Sequence, residues 1–186
     1  IVAENRDMPE MFFKRYRLSK KTRVIFHGIP LDQFSPKQEH ITAIRDKYGI
    51  TTDKILIGCV ARLCPGKDQV TLIKAIAEIK NCYLMLAGIE GAEGYLAELK
   101  NLISDLGISD RVFFLGYVAD VATFMTQMDI TVLPTREEAF GLVLIESMAC
   151  GIPTITTDIS GPRDIIENGL SGFLFHPGNE EQLAKL

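Results

Sequence analysis

Two glutamates, Glu138 and Glu146, lie eight positions apart in the largely apolar stretch 137–151, EEAFGLVLIESMACG. A carboxylate buried in such a stretch is unfavourable unless it is hydrogen-bonded or paired with a cation. Phe140 and Gly141 stand between the two acids, and a glycine permits a close approach of the backbone to a ligand. Because one carboxylate accepts hydrogen bonds from two hydroxyl groups at once, the hydroxyls of sugar rings are natural partners for such a pair.

Each glutamate also has an ordinary structural explanation. We predict that a helix begins near Leu142, so that Glu138 would be a favourable acid in front of its amino terminus. Glu146, about one turn into that helix, could form an internal salt bridge. Neither explanation accounts for Phe140 and Gly141 between the acids. A ligand lying over the helix start would meet one carboxylate at each end, with its phosphates at the helix amides.

Two cations, Arg62 and Lys67, flank a Pro-Gly turn in the stretch 61–68, ARLCPGKD, directly after an apolar run. Arginine presents a planar fork and lysine a point charge, a combination that suits a diphosphate. The alternative is a pair of solvated surface cations, which is the usual state of exposed charges. The stretch is not a Walker loop, because Ala61 stands where the first glycine is required and Asp68 follows the lysine.

Other loops carry weaker signals. The glycine-rich turn 88–94, GIEGAEG, does not match the dinucleotide fingerprint, so a flexible turn before a helix explains it at least as well as ligand contact. Tyr117 could stack on a nucleotide base or simply end a strand, and His27 has no role that its type alone assigns. The sequence has no D-x-D motif, so we predict no metal bridging a diphosphate.

The elements that position these residues follow from hydrophobic spacing. Short apolar runs predict six strands, at 55–61, 82–88, 111–116, 130–135, 153–157 and 172–175. Helical spacing predicts helices at 68–80, 94–107, 121–128, 141–151, 162–169 and 179–186. Continuous apolar strands alternating with helices predict an α/β fold with a doubly wound, Rossmann-like, six-stranded parallel sheet. Ligands of such sheets bind beyond the carboxyl ends of the strands, where both the cations and the acids would lie.

Composition excludes several classes of protein. The 186 residues are 47% hydrophobic and 24% charged, with a net charge of −4, which is ordinary for a globular domain and gives no nucleic-acid footprint. The four cysteines include no C-x-x-C pair, so we expect reduced thiols in a cytosolic protein and no zinc site. No apolar run is long enough to span a membrane, and no signal peptide is evident. Both ends look cut, which predicts a piece of a longer protein.

Several stretches together resemble a known family. In the right order and over nearly all of the chain, they are similar to the carboxyl-terminal domain of retaining glycosyltransferases of family 4, which have the GT-B fold. The stretches are ARLCPGK (61–67), FLGYV (114–118), LPTREEAFGLVLIESMACGIPTI (133–155) and GPRDIIENGLSGFLFHPGN (161–179). VIFHGIPLDQFSP (24–36) looks like the segment that leads into this domain, although His27 and Pro30 depart from the family's Asn-Gly-Val/Ile-Asp pattern.

The resemblance implies a role for each candidate residue. Arg62 and Lys67 would hold the donor diphosphate and stabilise the departing nucleotide, which is electrostatic catalysis without a metal. Glu138 would contact hydroxyls of the transferred sugar, and Glu146 would bind the ribose. Backbone amides would assist at the sugar and phosphates, namely those of Phe140, Gly141 and Leu142. The nucleotide base would meet the loop formed by Gly116, Tyr117 and Val118.

The resemblance also implies an activity. We expect a retaining, metal-independent hexosyltransferase that uses a nucleotide sugar such as a UDP- or GDP-hexose, with no cofactor and no protein nucleophile. The acceptor would be a glycan or a lipid-linked molecule, in cytoplasmic polysaccharide or cell-envelope biosynthesis. Residues 1–34 would be a remnant of the acceptor domain and interdomain segment, 35–54 a linker or domain edge, and 55–186 the truncated nucleotide-sugar-binding domain. A fragment of this kind should transfer poorly or not at all.

Alternatives stay open at this point. The chain could be a stand-alone nucleotide-sugar-binding module that acts with a partner chain, or a nucleotide-sugar epimerase of the same architecture. The basic stretch Lys14–Arg23, with Phe12 and Phe13, could touch the inner face of a membrane, although a solvated helix face with interdomain contacts is the favoured explanation. The sequence does not reveal the base, the sugar or the acceptor.

Overall fold

Two parallel sheets are present in the computed structural model, which describes residues 2–10, 22–35 and 43–186. The small sheet pairs two short strands, β1 (Val2–Ala3) and β2 (Arg23–Val24). The large sheet has six strands: β3 (Ile55–Val60), β4 (Cys82–Ala87), β5 (Val112–Gly116), β6 (Ile130–Leu133), β7 (Thr154–Thr157) and β8 (Phe173–Phe175). All of its pairings are parallel, in the order β5-β4-β3-β6-β7-β8, so the predicted six-stranded sheet is confirmed.

Helices follow the strands. Within residues 43–186 the α-helices are α1 (Ala43–Tyr48), α2 (Gln69–Glu78), α3 (Tyr95–Asp105), α4 (Val121–Met125), α5 (Leu142–Ala149) and α6 (Glu180–Leu183). Two short 3₁₀ helices span Pro65–Lys67 and Gly161–Asp164. The predicted start of a helix near Leu142 is confirmed.

The helix predicted at 162–169 is wrong. Only the 3₁₀ turn Gly161–Asp164 forms there, and the chain then turns back on itself. The amide of Glu167 donates to the Ser171 hydroxyl at 3.0 Å, and the amide of Gly169 donates to the carbonyl of Gly172 at 2.8 Å. Because these amides have partners ahead of them in the chain, they are not available for the bonds that would extend the helix.

Apolar side chains cover both faces of the large sheet. On one face α2, α3 and α6 pack on strand residues that include Ile57, Leu84 and Leu86. On the other face α4 packs on Leu56 and Met85. Each fully buried leucine or isoleucine contributes roughly 1.5–3 kcal/mol to folding. Coverage of both faces explains why the strands are continuous apolar runs.

The adjacency of β3 and β6 decides where ligands can bind. The sequence runs outward from β3 through β4 and β5 on one side, and through β6, β7 and β8 on the other. The strand order therefore reverses between β3 and β6, and a crevice forms beyond their carboxyl ends. The loops after β3 and β6, which carry the predicted cations and acids, meet at this crevice.

Part of the amino-terminal third is described. The strands β1 and β2 lie in this part of the chain and are two residues long each. Within 35–54, the predicted linker or domain edge, α1 packs partly buried side chains on the core, and Ile50 is buried. Most of the basic stretch Lys14–Arg23, with Phe12 and Phe13, lies outside the described residues. Among the residues that are described, no helix is both long and apolar enough to cross a membrane.

Candidate active site

A cavity of about 570 Å³ opens at the crevice between β3 and β6. Its walls come from the ends of both strands, the loops that follow them, the start of α5 and the amino-terminal segment. The lining residues are Glu4, His27, Val60, Ala61, Arg62, Lys67, Leu133, Glu138, Ala139, Phe140, Gly141, Leu142 and Val143. Six of the predicted site residues are among them, namely Arg62, Lys67, Glu138, Phe140, Gly141 and Leu142.

Lys67 and Glu138 form an ion pair inside this cavity. Lys67 Nζ lies 2.6 Å from Glu138 Oε2, and the two side chains are only 19% and 18% exposed. Lys67 ends the 3₁₀ turn after β3, and Glu138 lies in the loop after β6. Lys67 and Glu138, which we assigned to the diphosphate and the sugar of a ligand, are therefore neighbours that form a hydrogen-bonded ion pair.

Arg62 presents an uncommitted cation beside that pair. Its backbone carbonyl accepts a hydrogen bond of 2.9 Å from the side-chain amide of Gln69, which is fully buried. Within residues 2–10, 22–35 and 43–186, no side-chain hydrogen bond or ion pair occupies the Arg62 guanidinium. A guanidinium whose backbone is anchored and whose donors are available suits an oxyanion ligand.

The glycine-rich turn 88–94 supports Arg62 from behind rather than lining the cavity. Gly88 has φ +153°, and a side-chain carbon there would lie 1.9 Å from the carbonyl oxygen of Ala61. At Gly91 such a carbon would lie 3.3 Å from Arg62 Cβ. These glycines permit the loops after β3 and β4 to touch, which gives the motif a packing role.

The start of α5 leaves its first amides available. Its N-cap residue is Gly141, with φ 106°, and no side chain caps the helix. The backbone conformation at Gly141 favours glycine, and a side-chain carbon there would lie 2.9 Å from Leu144 Cδ1, which would have to move. Uncapped amides at the amino end of a helix form an anion-binding position, and here they face the cavity through Leu142 and Val143.

Glu146 lies on α5 one turn beyond the cavity lining. Leu142 and Val143 line the cavity, and residues three and four positions later on a helix share their face. Desolvation by burial raises the pKa of the Glu146 carboxyl above its ordinary value. Among the residues that the structure describes, none forms the internal salt bridge that was the alternative explanation for Glu146.

The loop predicted to meet the base lies apart from this cavity. Gly116 accepts a 2.7 Å hydrogen bond from the amide of Gly88, and Tyr117 is 78% exposed. Val118 lines a different cavity, of about 420 Å³. All three residues lie at the carboxyl end of β5, two strands from β3, so the structure places them on the same edge of the sheet but not beside Lys67 and Glu138.

The amino-terminal segment contributes residues that the sequence did not reveal. Asn5 is 4% exposed, and its side-chain amide donates to the carbonyl of Ala139 at 2.7 Å. The rings of Phe26 and His27 lie 5.8 and 5.5 Å from the ring of Phe140. Glu4 lies 3.5 Å from the His27 imidazole. The contacts of Asn5 with Ala139 and of Phe26 and His27 with Phe140 join residues more than 100 positions apart, and no local pattern indicates them.

Metal ligands are not assembled in the described part of the chain. No group of three or more His, Cys, Asp or Glu side chains occurs there with a geometry that could hold a metal ion. All four cysteines are thiols without a disulfide, and burial raises the pKa of Cys59 to about 12. Metal independence of the reaction stays a prediction.

Curated relatives are glycosyltransferases and a synthase. N-acetyl-alpha-D-glucosaminyl L-malate synthase of Bacillus anthracis is 34% identical over 148 residues, which are 77% of this chain and 38% of that protein. D-inositol 3-phosphate glycosyltransferase of Mycolicibacterium smegmatis is 33% identical over 156 residues, which are 81% of this chain and 35% of that protein. The chain therefore spans well under half of the length of these relatives.

Solved structures share the fold. HepE of Anabaena, crystallised in complex with UDP-glucose, superimposes with a TM-score of 0.92 at 29% identity, over 99% of this chain and 51% of HepE. The match confirms an α/β fold like that of GT-B glycosyltransferases. The sequence itself matches the family described as Glycosyl transferases group 1 over residues 40–186, which is most of its length. The chain belongs to the Glycosyl transferases group 1 family.

Proposed function

We propose that this chain carries the donor site of a retaining glycosyltransferase of family 4, as its carboxyl-terminal domain. The whole protein would transfer a hexose from a nucleotide sugar to an acceptor. One observation carries the proposal: Lys67, Glu138, Arg62 and the uncapped start of α5 all line a single cavity at the point where the strand order reverses.

The cations and the helix amides act on the leaving group. Arg62 offers a bidentate fork, Lys67 a mobile point charge, and the first turn of α5 a set of fixed dipoles. Negative charge grows on the diphosphate as its bond to the sugar breaks, and donors fixed in advance stabilise that charge. The work done by these groups needs no metal, which is why we propose a metal-independent reaction.

Glu138 acts on the sugar. Its carboxylate lies within reach of Lys67, so a hexose attached to the diphosphate at Lys67 would bring its hydroxyls to Glu138. Glu146, one turn along α5, would accept from the ribose hydroxyls. The base would extend along the carboxyl edge of the sheet toward Gly116, Tyr117 and Val118.

No side chain is assigned as a nucleophile. The bond from the sugar's anomeric carbon to the phosphate oxygen breaks, and a bond from the acceptor oxygen to that carbon forms on the same face. The acceptor proton moves to the departing phosphate oxygen. This path preserves the anomeric configuration and asks the protein only to orient the donor and stabilise charge.

The whole protein would be longer than this chain and would use a nucleotide sugar as donor. HepE was crystallised with UDP-glucose, which makes a UDP-hexose the first donor to test. Residues 1–34 would belong to the acceptor domain and interdomain segment, and 35–54 to a linker or domain edge. The acceptor would be a glycan or a lipid-linked molecule, in the cytoplasm and at the inner face of the membrane where a lipid carrier is used. By itself this chain should bind donor and transfer little.

A thermal-shift panel tests the donor site. UDP, GDP and ADP and their hexose derivatives are each added at rising concentration, with the corresponding nucleosides as controls. Binding to the folded state alone stabilises it by about 2.7 kcal/mol at a ligand concentration of 100 times Kd. One nucleotide series should raise Tm, with the diphosphate exceeding its nucleoside. If no nucleotide diphosphate or nucleotide sugar changes Tm, the chain has no such site.

A further inference from the structure

A cluster of polar contacts joins the loop that carries Lys67 to the loop that carries Glu138. The Arg136 amide donates to the carbonyl of Gly66 at 2.9 Å, and the hydroxyl of fully buried Thr135 lies 3.0 Å from the same oxygen. Gly66 immediately precedes Lys67, and Arg136 lies two positions before Glu138. The contacts thus fix the backbones on either side of the ion pair.

Asp68 and Arg136 close this cluster with a second ion pair. Arg136 Nε lies 2.8 Å from Asp68 Oδ2, and the Thr71 hydroxyl donates to the same carboxylate at 2.7 Å. The Asp68 side chain is 5% exposed, whereas that of Arg136 is 53% exposed. Neither side chain lines the donor cavity.

The backbone at Asp68 is held in an unusual conformation. Its φ is 47°, and it is the one non-glycine residue in the described part of the chain with a positive φ. Left-handed conformations at non-glycine residues cluster at functional sites, where surrounding contacts maintain them. Contacts of the Asp68 carboxylate with Arg136 and Thr71 hold the residue in this conformation. Lys67 immediately precedes Asp68 in the chain.

We propose that Asp68 and Arg136 are positioning residues that set the register of Lys67 against Glu138, and so control affinity for the donor diphosphate. The proposal rests on the proposed function. The pair itself does not touch the ligand; it acts by locking the two loops across Gly66. A displacement of about 1 Å at a reacting group can reduce catalysis roughly 100-fold, so a clamp of this kind has a measurable effect.

Because the Arg136 side chain is half exposed, it can be replaced without unfolding the chain. When Arg136 is replaced, Asp68 keeps its bond to Thr71 and its place at the amino end of α2, which favours a negative charge. Arg136→Gln should therefore fold. Arg136→Lys keeps a cation opposite Asp68 and tests rescue. Asp68→Gly removes the carboxylate but accepts the left-handed backbone, so it separates the ion pair from the strain.

A matched control is available at the carboxyl edge of the same sheet. Arg163 Nε lies 2.7 Å from Asp158 Oδ1, with side chains 57% and 33% exposed, and neither residue lines the cavity. Arg163→Gln breaks an Arg–Asp pair of nearly the same length whose arginine is similarly exposed, although its aspartate is less buried than Asp68. Any effect that it shares with Arg136→Gln is a general effect of losing such a pair.

Two readouts decide the outcome on the full chain. Hydrogen exchange of the residue-136 amide, which donates to Gly66, reports the clamp with no ligand present. Calorimetric titration with UDP and with UMP reports the diphosphate site. We expect Arg136→Gln and Asp68→Gly to exchange at that amide about tenfold faster or more and to lose about tenfold or more in UDP affinity. UMP affinity should change less, Arg136→Lys should recover part of the loss, and Arg163→Gln should match the unmodified chain.

Other results overturn the proposal. Unchanged exchange at residue 136 would show that the ion pair holds nothing in register. Faster exchange with unchanged UDP affinity would show a clamp that does not position the diphosphate site. Equal losses for UDP and UMP, with no rescue by lysine, would indicate a general structural effect. Failure of the unmodified chain to bind UDP contradicts a UDP donor instead, and the exchange readout then decides the register claim alone.

Discussion

The ammonium of Lys67 and the carboxylate of Glu138 lie 2.6 Å apart although the two residues are 71 positions apart in the chain. Without ligand, each neutralises the other in a cavity that shields both side chains. A donor that places its diphosphate at Lys67 and its sugar at Glu138 would add to this pair rather than replace it. Lys67 would then be shared between two anions. Its pairing with Glu138 would already orient it before the donor arrives.

The coupling of Lys67 and Glu138 predicts a stability effect. Lys67→Met leaves a largely buried carboxylate without its cation, so it should lower the free energy of unfolding by about 1–2 kcal/mol, below the 3–5 kcal/mol typical of fully buried pairs. Lys67→Met combined with Glu138→Gln should be more stable than Lys67→Met alone. Urea unfolding of the two single variants and the double variant measures the coupling. Strictly additive effects would contradict an interacting pair.

The two glutamates should affect different parts of the donor. Glu146→Ala should weaken UDP and UDP-hexose equally, because it removes the proposed contact to the ribose that both ligands contain. Glu138→Ala should mainly remove the extra affinity that the hexose gives, with a smaller change in UDP affinity through the loss of its pairing with Lys67. Loss of a hydrogen bond to a charged group corresponds to about 1.5–3 kcal/mol, or roughly 10- to 150-fold in Kd. Calorimetry on both variants with both ligands measures it, and a reversed pattern contradicts the assigned orientation.

The raised pKa of Glu146 predicts a pH dependence. Burial raises the pKa of this carboxyl in the folded state, so the folded chain holds the proton more tightly than the unfolded chain. Stability from this group is therefore greatest below its unfolded pKa and falls as pH rises through the interval up to its folded pKa. Glu146→Gln should abolish that fall and raise Tm at neutral pH while weakening nucleotide binding. Thermal unfolding across pH measures it, and an unchanged slope contradicts desolvation of Glu146.

Gly141 should tolerate no side chain. Its φ of 106° is unfavourable for other residues, and a side-chain carbon would lie 2.9 Å from Leu144 Cδ1. Gly141→Ala should lower the free energy of unfolding by about 1–3 kcal/mol and weaken donor binding, because the start of α5 must shift. Gly28→Ala is the stability control, since a carbon there has no atom within 4 Å and its φ is ordinary. Equal Tm values for the two variants would contradict this requirement.

Much of the fold could be predicted from local pattern. Continuous apolar runs at Ile55–Val60 and Cys82–Ala87 indicated strands covered on both faces, and the structure has them. The start of α5 was correctly predicted near Leu142. The helix predicted at 162–169 does not form, because the amides of this segment donate hydrogen bonds forward to the turn before β8 although its spacing is helical.

The candidate site could be predicted less fully. Residue type and strand position indicated Arg62 and Lys67, and the helix start indicated Glu138. The pairing of Lys67 with Glu138 depends on loops brought together by the strand order. The hydrogen bond of Asn5 to Ala139 depends on how the amino-terminal segment packs against the loop after β6. Spacing along the chain encodes neither contact. The roles of the site residues stay predictions, and those of Gly116, Tyr117 and Val118 depend on how far a donor extends along the sheet.

A crystal structure of the chain with the nucleotide that gives the largest rise in Tm would show directly whether the donor diphosphate binds in this cavity. We expect diphosphate oxygens within about 3 Å of the Arg62 guanidinium, of Lys67 Nζ and of the first amides of α5. We also expect the ribose at Glu146 and, with a nucleotide sugar, the hexose at Glu138. A diphosphate bound away from Arg62 and Lys67, or a ribose that does not reach Glu146, would contradict the proposed donor site.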